Sequence, residues 1–167
     1  LSYVDTSVIV AALDPRDPRR GKTLKILGDS RPKIISELTI VELASVLARR
    51  REVIAALADR LGIDEHLAFI AVLIYILRRF RLKYISVKEY SRTMLGEHYK
   101  PMSYAVNLAS KVGLKTLDLL HIAYIKAMKE QETKIHSLLT VDADFKKHEA
   151  SIQDAVGVSV ELLEEAE

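Results

Sequence analysis

Short apolar runs recur along this chain between longer segments whose apolar residues return every three or four positions. These are the two rhythms of buried strands and amphipathic helices. The opening run predicts a strand over residues 2–5 and a helix from Ser7, before Asp14-Pro15 and Asp17-Pro18 impose a loop. A helix over 20–28 ends at Gly28, and "KII" at 33–35 reads as a second strand. Ser36 then suits the cap of a helix over 37–53, with Leu38, Val41, Leu43 and Leu47 at helical spacing. Gly62 closes a turn or short helix, and Ile63-Asp64-Glu65 opens an apolar helix through residue 79. A third strand over 82–87 is followed by two helices, over 88–95 and 102–112, the latter stopped by Gly113. Thr116 begins a strong helix, "KIHSLLTV" at 134–141 a fourth strand, and "DADFKKH" a short helix. "GVSV" at 157–160 is a weak fifth strand before an acidic tail over 161–167.

Strands alternating with helices predict an α/β fold: a central parallel sheet of about five strands with helices on both faces. In such a sheet the ligand site lies outside the strands' carboxyl ends, where strand order reverses. The residues that matter are therefore those just beyond each strand.

Asp5 ends the first strand, and Asp142 and Asp144 follow the fourth. Asp118 falls in the first turn of its helix, and Glu42 in the second turn of the helix after the second strand. Each acid has an ordinary structural reading alone. Asp5 and Asp142 could cap helices, Asp118 could complement a helix dipole, and Glu42 could be a solvated helical acid. Glu42, however, stands between Val41 and Leu43, and Asp118 between Leu117 and Leu119. Neither apolar segment carries a Lys or Arg as an evident neutraliser, and unpaired carboxylates are costly to bury. A divalent cation would resolve the conflict. Carboxylates and hydroxyls, without Cys and without a paired His motif, suit Mg²⁺ or Mn²⁺ better than zinc. Such ions activate water and offset charge in phosphodiester cleavage. Ser7, with Thr6 and Thr140, is a candidate for positioning water or a phosphate oxygen, and the surrounding helix N-termini favour an anionic substrate.

Composition sharpens this picture in a few places. At 167 residues the chain is expected to form one domain, with 49% hydrophobic and 29% charged residues typical of a globular protein. The absence of Cys removes any disulfide framework or cysteine nucleophile and fits a cytoplasmic protein. Asp5 interrupts the opening apolar run, which does not read as a signal peptide. The chain opens at Leu1, not Met, so a few upstream residues are expected. The greasiest stretch, residues 67–77, is too short to span a bilayer. The net charge of +2 says little, but "PRDPRRGK", "RRR" and "RRFRLK" give weak support for a polyanionic partner. Amide residues are few (Asn107, Gln131, Gln153) while charges abound, the balance of a thermophile.

Taken in order, "YVDTSVIVAAL", "SELTIVEL", "LKTLDLLHIA" and "LLTVDADF" resemble the acidic motifs of the PIN-domain nucleases, most closely the VapC-type toxin ribonucleases. The likeness runs from Tyr3 to Phe145. It implies Asp5, Glu42, Asp118 and Asp142 as the catalytic, metal-holding acids, with Ser7 as the accompanying hydroxyl. His121 and Ala123 follow Asp118 at the family's spacing, and Asp144 is a candidate to share or take over the role of Asp142. The resemblance also implies one or two Mg²⁺ or Mn²⁺ ions, cleavage of single-stranded RNA, a homodimer and inhibition by an antitoxin protein. An RNA-processing or single-strand DNA nuclease of the same fold, or a noncatalytic interaction module, are the alternatives. His121 itself reads as a packed core residue that hydrogen-bonds a neighbour.

Overall fold

The computed structural model describes residues 1–165. The expected tail over 161–167 begins inside the last strand, and its two final residues lie outside the described ones. The central sheet has five strands: β1 (Ser2–Val4), β2 (Lys33–Ile35), β3 (Leu82–Tyr84), β6 (Ser137–Thr140) and β7 (Ser159–Leu162). Their order is β3-β2-β1-β6-β7, and every neighbouring pair is parallel. The chain first builds outward from β1 to β3, then returns to the other side of β1 to build β6 and β7. The reversal therefore falls between β1 and β6, and all five carboxyl ends lie along one edge.

The period-two alternation of strands assigns each side chain to a layer. Tyr3, Ile34, Leu138 and Val160 face one core, which is completed by α6 (Lys100–Val112), α7 (Thr116–Glu130) and α9 (Glu149–Val156). Val4, Ile35 and Leu139 face the other, with α1 (Thr6–Leu13), α2 (Arg20–Gly28), α3 (Glu37–Ala48) and α5 (Glu65–Arg79). A sheet covered on both faces explains why its strands read as continuous apolar runs.

Three local expectations are corrected. The helix expected over 37–53 is two: α3 stops at Ala48 and α4 (Arg51–Leu61) restarts after Arg50, whose backbone leaves the helical region. The arginines at 49–51 supply no apolar side chain to continue the buried stripe. The helix expected over 88–95 is instead a β-hairpin, β4 (Tyr90–Thr93) with β5 (Gly96–Tyr99), paired antiparallel. Gly96 has φ +113, open to glycine and strained for other residues, and Thr93 Oγ1 accepts the Leu95 N–H across the turn. Finally, α8 (Ala143–Lys147) is followed by a further helix, α9, that had no predicted counterpart. No helix among the described residues is long and apolar enough to cross a membrane.

Candidate metal centre

Asp5 occupies the N-cap position of α1, yet its side chain caps nothing. Its backbone N–H continues the sheet ladder by donating to the Leu139 carbonyl at 3.0 Å, which fixes the residue between β1 and β6. The carboxylate turns instead to three side chains. Oδ2 accepts from Thr140 Oγ1 at 2.8 Å and from the Ser7 hydroxyl, while Oδ1 lies 3.3 Å from His121 Nε2. Hydrogen bonds of this kind to an ionised group contribute about 1.5–3 kcal/mol each. They satisfy the carboxyl oxygens of a buried residue, since only 6% of Asp5 is exposed.

Glu42 reaches the same place from α3. Its Oε2 accepts from Thr6 Oγ1 at 2.5 Å and pairs with His121 Nε2 at 2.9 Å. Asp5, Glu42 and His121 each bring a donor atom within 4.8 Å of the others. Burial pushes the Glu42 carboxyl pKa up, but the His121 hydrogen bond, the His121 charge and the Thr6 hydrogen bond together carry it below its ordinary value. Burial likewise opposes protonation of His121, and the hydrogen bond to Glu42 with the charges of Asp5, Glu42 and Asp118 outweighs it, raising its pKa. His121 is 1% exposed, and it is packed as expected; what the sequence did not disclose is that its hydrogen-bonded neighbours are two of the candidate acids.

Asp118 and Asp142 lie beside this group of three and not within it, close enough for Asp118 to feel the charges of Asp142 and Asp5. Asp118 lies in the first turn of α7 and is half-buried, and its pKa is raised by burial and then by the negative charges of Asp142 and Asp5. Asp142 caps α8 by accepting the Asp144 N–H on Oδ1 at 2.8 Å, and its own N–H donates to Thr140 Oγ1 at 3.0 Å. Thr140 thus ties the loop after β6 to Asp5. Among the described residues, Asp142 Oδ2, Glu42 Oε1 and both Asp118 oxygens accept no side-chain or backbone hydrogen bond. Asp144 points elsewhere. It is bridged by Lys115 at 2.9 Å and Lys147 at 2.7 Å, and the Lys147 hydrogen bond, followed by that of Lys115, lowers its pKa to about 2.

The donor set fits a hard divalent cation. Four carboxylates lie along one sheet edge, Glu42, Asp118 and Asp142 among them with oxygens that accept no hydrogen bond, and Asp118 is already disfavoured as an anion by burial and by its neighbours. Ser7 and Thr6, like Thr140, spend their hydroxyl protons on carboxylates. One loop of the basic segment also lies close: Arg19, clamped by Asp17, donates to the Val141 carbonyl at 3.0 Å, one residue from Asp142.

The sequence model of the PIN domain matches residues 2–150. Among curated protein sequences none matches significantly. Of solved structures, the chain is similar to VapBC2 from Rickettsia felis, bound to a DNA fragment from its promoter. The TM-score is 0.57 at 15% identity, over 98% of both chains. It is also similar to VapC20 of Mycobacterium tuberculosis, a toxin that cleaves the sarcin-ricin loop, with TM-score 0.55 at 18% identity over 88% of this chain and 94% of that one.

Proposed function

This chain belongs to the PIN-domain family, and from that premise we propose that it is a Mg²⁺- or Mn²⁺-dependent endoribonuclease that cuts single-stranded RNA, the toxin of a toxin–antitoxin pair. The observation that carries the reading is the gathering of Asp5, Glu42, Asp118 and Asp142 along the sheet edge at the strand-order reversal, Asp5 and Glu42 held by buried hydrogen bonds and Glu42, Asp118 and Asp142 keeping oxygens free of any. Asp5, Glu42, Asp118 and Asp142 would hold the cation, which when bound supplies activation of water and neutralisation of charge on the phosphate. The protein's own part is positioning. Ser7 and Thr140 fix Asp5, Thr6 fixes Glu42, and Asp118 and Asp142 keep oxygens that no hydrogen bond occupies. The N-termini of α1 and α7 favour the anionic phosphodiester beside them, and the Arg19 loop adds positive charge on the Asp142 side. The role of nucleophile falls to water, since each nearby hydroxyl is engaged with a carboxylate.

The similar solved structures support the toxin assignment: one is VapBC2 bound to a promoter DNA fragment and the other a toxin that cleaves the sarcin-ricin loop. A protein partner and a homodimer are part of the proposal. They are supported by the apolar side chains Leu67, Ile70, Ile74 and Tyr75, exposed along α5, and by the hollow that Leu13, Leu47, Val53 and Val72 line nearby. The test is cleavage of end-labelled single-stranded RNA with Mn²⁺, with Mg²⁺ and with EDTA, beside Asp118→Asn. Metal-dependent products lost in the variant support the reading. Products that are equal in both proteins, or absent from a folded protein that binds no metal, refute it.

A further inference from the structure

Beneath the acids runs a line of buried polar groups that the proposed chemistry does not use. Ser36 Oγ, at the end of β2, lies 2.7 Å from Tyr3 Oη on β1, and Tyr3 Oη lies 2.8 Å from His121 Nδ1 on α7. Across the ring, Nε2 meets Glu42 Oε2 at 2.9 Å and Asp5 Oδ1 at 3.3 Å. Ser36 and Tyr3 are 0% exposed, so solvent supplies none of their partners.

The protons of this file can be counted. Ser36 Oγ has one hydrogen-bond partner among the described residues, Tyr3 Oη, so its proton goes there. Tyr3 then accepts from Ser36 and directs its own proton to His121 Nδ1. A ring that accepts on Nδ1 carries its proton on Nε2, aimed at the two carboxylates. The opposite tautomer would donate from Nδ1 to Tyr3 Oη and leave one of the two hydroxyl protons, that of Ser36 or that of Tyr3, without a hydrogen-bond partner among the described residues. It would also set a bare nitrogen lone pair 2.9 Å from an anionic oxygen. A doubly protonated ring keeps the Nε2 proton on the same target.

We infer that His121 is a positioning residue whose orientation is set by the buried Ser36–Tyr3 pair, and that its Nε2–H holds Glu42 and Asp5 in place from the protein side. His121 is therefore a donor to the acids and not itself a ligand, although its Nε2 lies where a ligand atom could. Glu42 Oε1 is left without a hydrogen bond among the described residues, whereas both Asp5 oxygens are engaged, Oδ2 by Thr140 and Ser7 and Oδ1 by His121. This resembles the partners that orient metal-ligating groups elsewhere, whose loss weakens metal binding about 10- to 100-fold. The role in holding a cation rests on the proposed metal-dependent activity; the tautomer does not.

The test pairs long-range ¹H–¹⁵N spectra of histidine-labelled protein with Mg²⁺ calorimetry, on wild type, Tyr3→Phe, His121→Gln and His121→Ala. In wild type the His121 Nε2 is expected to carry its proton without Mg²⁺ and to keep it when Mg²⁺ is saturating. Tyr3→Phe, which preserves the ring's volume, should lose the fixed tautomer. His121→Ala should bind Mg²⁺ about 10- to 100-fold more weakly, and His121→Gln, which retains a donor, should recover most of that loss. Loss of the Nε2 proton on Mg²⁺ binding would make His121 a ligand and overturn the inference, as would wild-type affinity in a folded His121→Ala. Should wild type bind no Mg²⁺ or Mn²⁺, the proposed function fails and so does His121's part in holding a cation. The metal-free spectrum still decides the tautomer.

Discussion

The two halves of the acid cluster are built by opposite rules. Asp5 and Glu42 form the saturated half, with Glu42 Oε1 alone left free: three hydroxyls and an imidazole contact them from within the fold, and Glu42 is stabilised as an anion. Asp118 and Asp142 receive little by comparison, and Asp118 is destabilised as an anion by burial and by its neighbours. The difference teaches how a protein can assemble four like charges without a resident cation. Half are held by hydrogen bonds from the fold, and the other half is left open, with Asp118 disfavoured as an anion and oxygens free of hydrogen bonds where a cation can bind.

The largest effect should come from breaking the open half. Asp118→Asn is expected to lower metal-dependent RNA cleavage by at least about 100-fold, the upper end of what indirect partners cost. The same variant should be more stable than wild type in the absence of metal, because it removes the charge that Asp142 and Asp5 oppose. Thermal melts with and without Mg²⁺ check this. Wild type should gain about 2.7 kcal/mol when Mg²⁺ is 100 times its Kd, and the variant much less.

Next in size is a cut in the saturated half. Thr140→Val removes one donor from Asp5 Oδ2 and the acceptor of the Asp142 N–H. Unfolding in urea should show a loss of about 1–3 kcal/mol, with cleavage reduced about 10-fold.

A smaller effect distinguishes the halves by pH. Asp118 has a raised pKa, so the folded protein keeps its proton to higher pH than the unfolded chain does. Metal-free stability therefore falls as pH rises from the unfolded carboxyl range through the raised value. His121 acts in the same direction: its raised pKa gives stability that is full below the unfolded value and lost as pH rises through the folded one. The stabilisation produced by a fixed Mg²⁺ concentration should accordingly grow as pH rises from the ordinary carboxylate range through the raised Asp118 value, as protons cease to compete. Melting curves across that range check it; a gain independent of pH would erase the distinction. The smallest effect belongs to Asp144→Asn, since that carboxylate is engaged by Lys115 and Lys147. Its cleavage rate should stay within about twofold of wild type, as expected of a surface ion pair.

The sheet was legible because strands buried on both faces announce themselves as apolar runs, and β1, β2 and β6 fall where "YV", "KII" and "SLLT" stand. The four acids were legible because carboxylates at strand ends or among apolar helix residues conflict with burial. The hairpin was not, because "YSRTMLGEHY" carries no clean alternation: Tyr90, Met94 and Leu95 are exposed, and its turn depends on Gly96. Tyr3 and His121 were hidden for another reason. Each reads as core, and only the packing of α7 on β1 brings residues 118 positions apart to 2.8 Å. Asp142 and Asp144 could not be separated by spacing; Lys115, far away in the chain, decides where Asp144 turns.

The most direct measurement of the central claim is calorimetric titration of Mn²⁺ into metal-free wild type and into Asp118→Asn. Binding by wild type with at least a 10-fold loss in the variant, on the scale of losing a supporting partner or more, is the predicted result. Equal affinities, or no binding by a folded wild-type protein, would contradict the claim that the open half of the cluster is built to receive a cation.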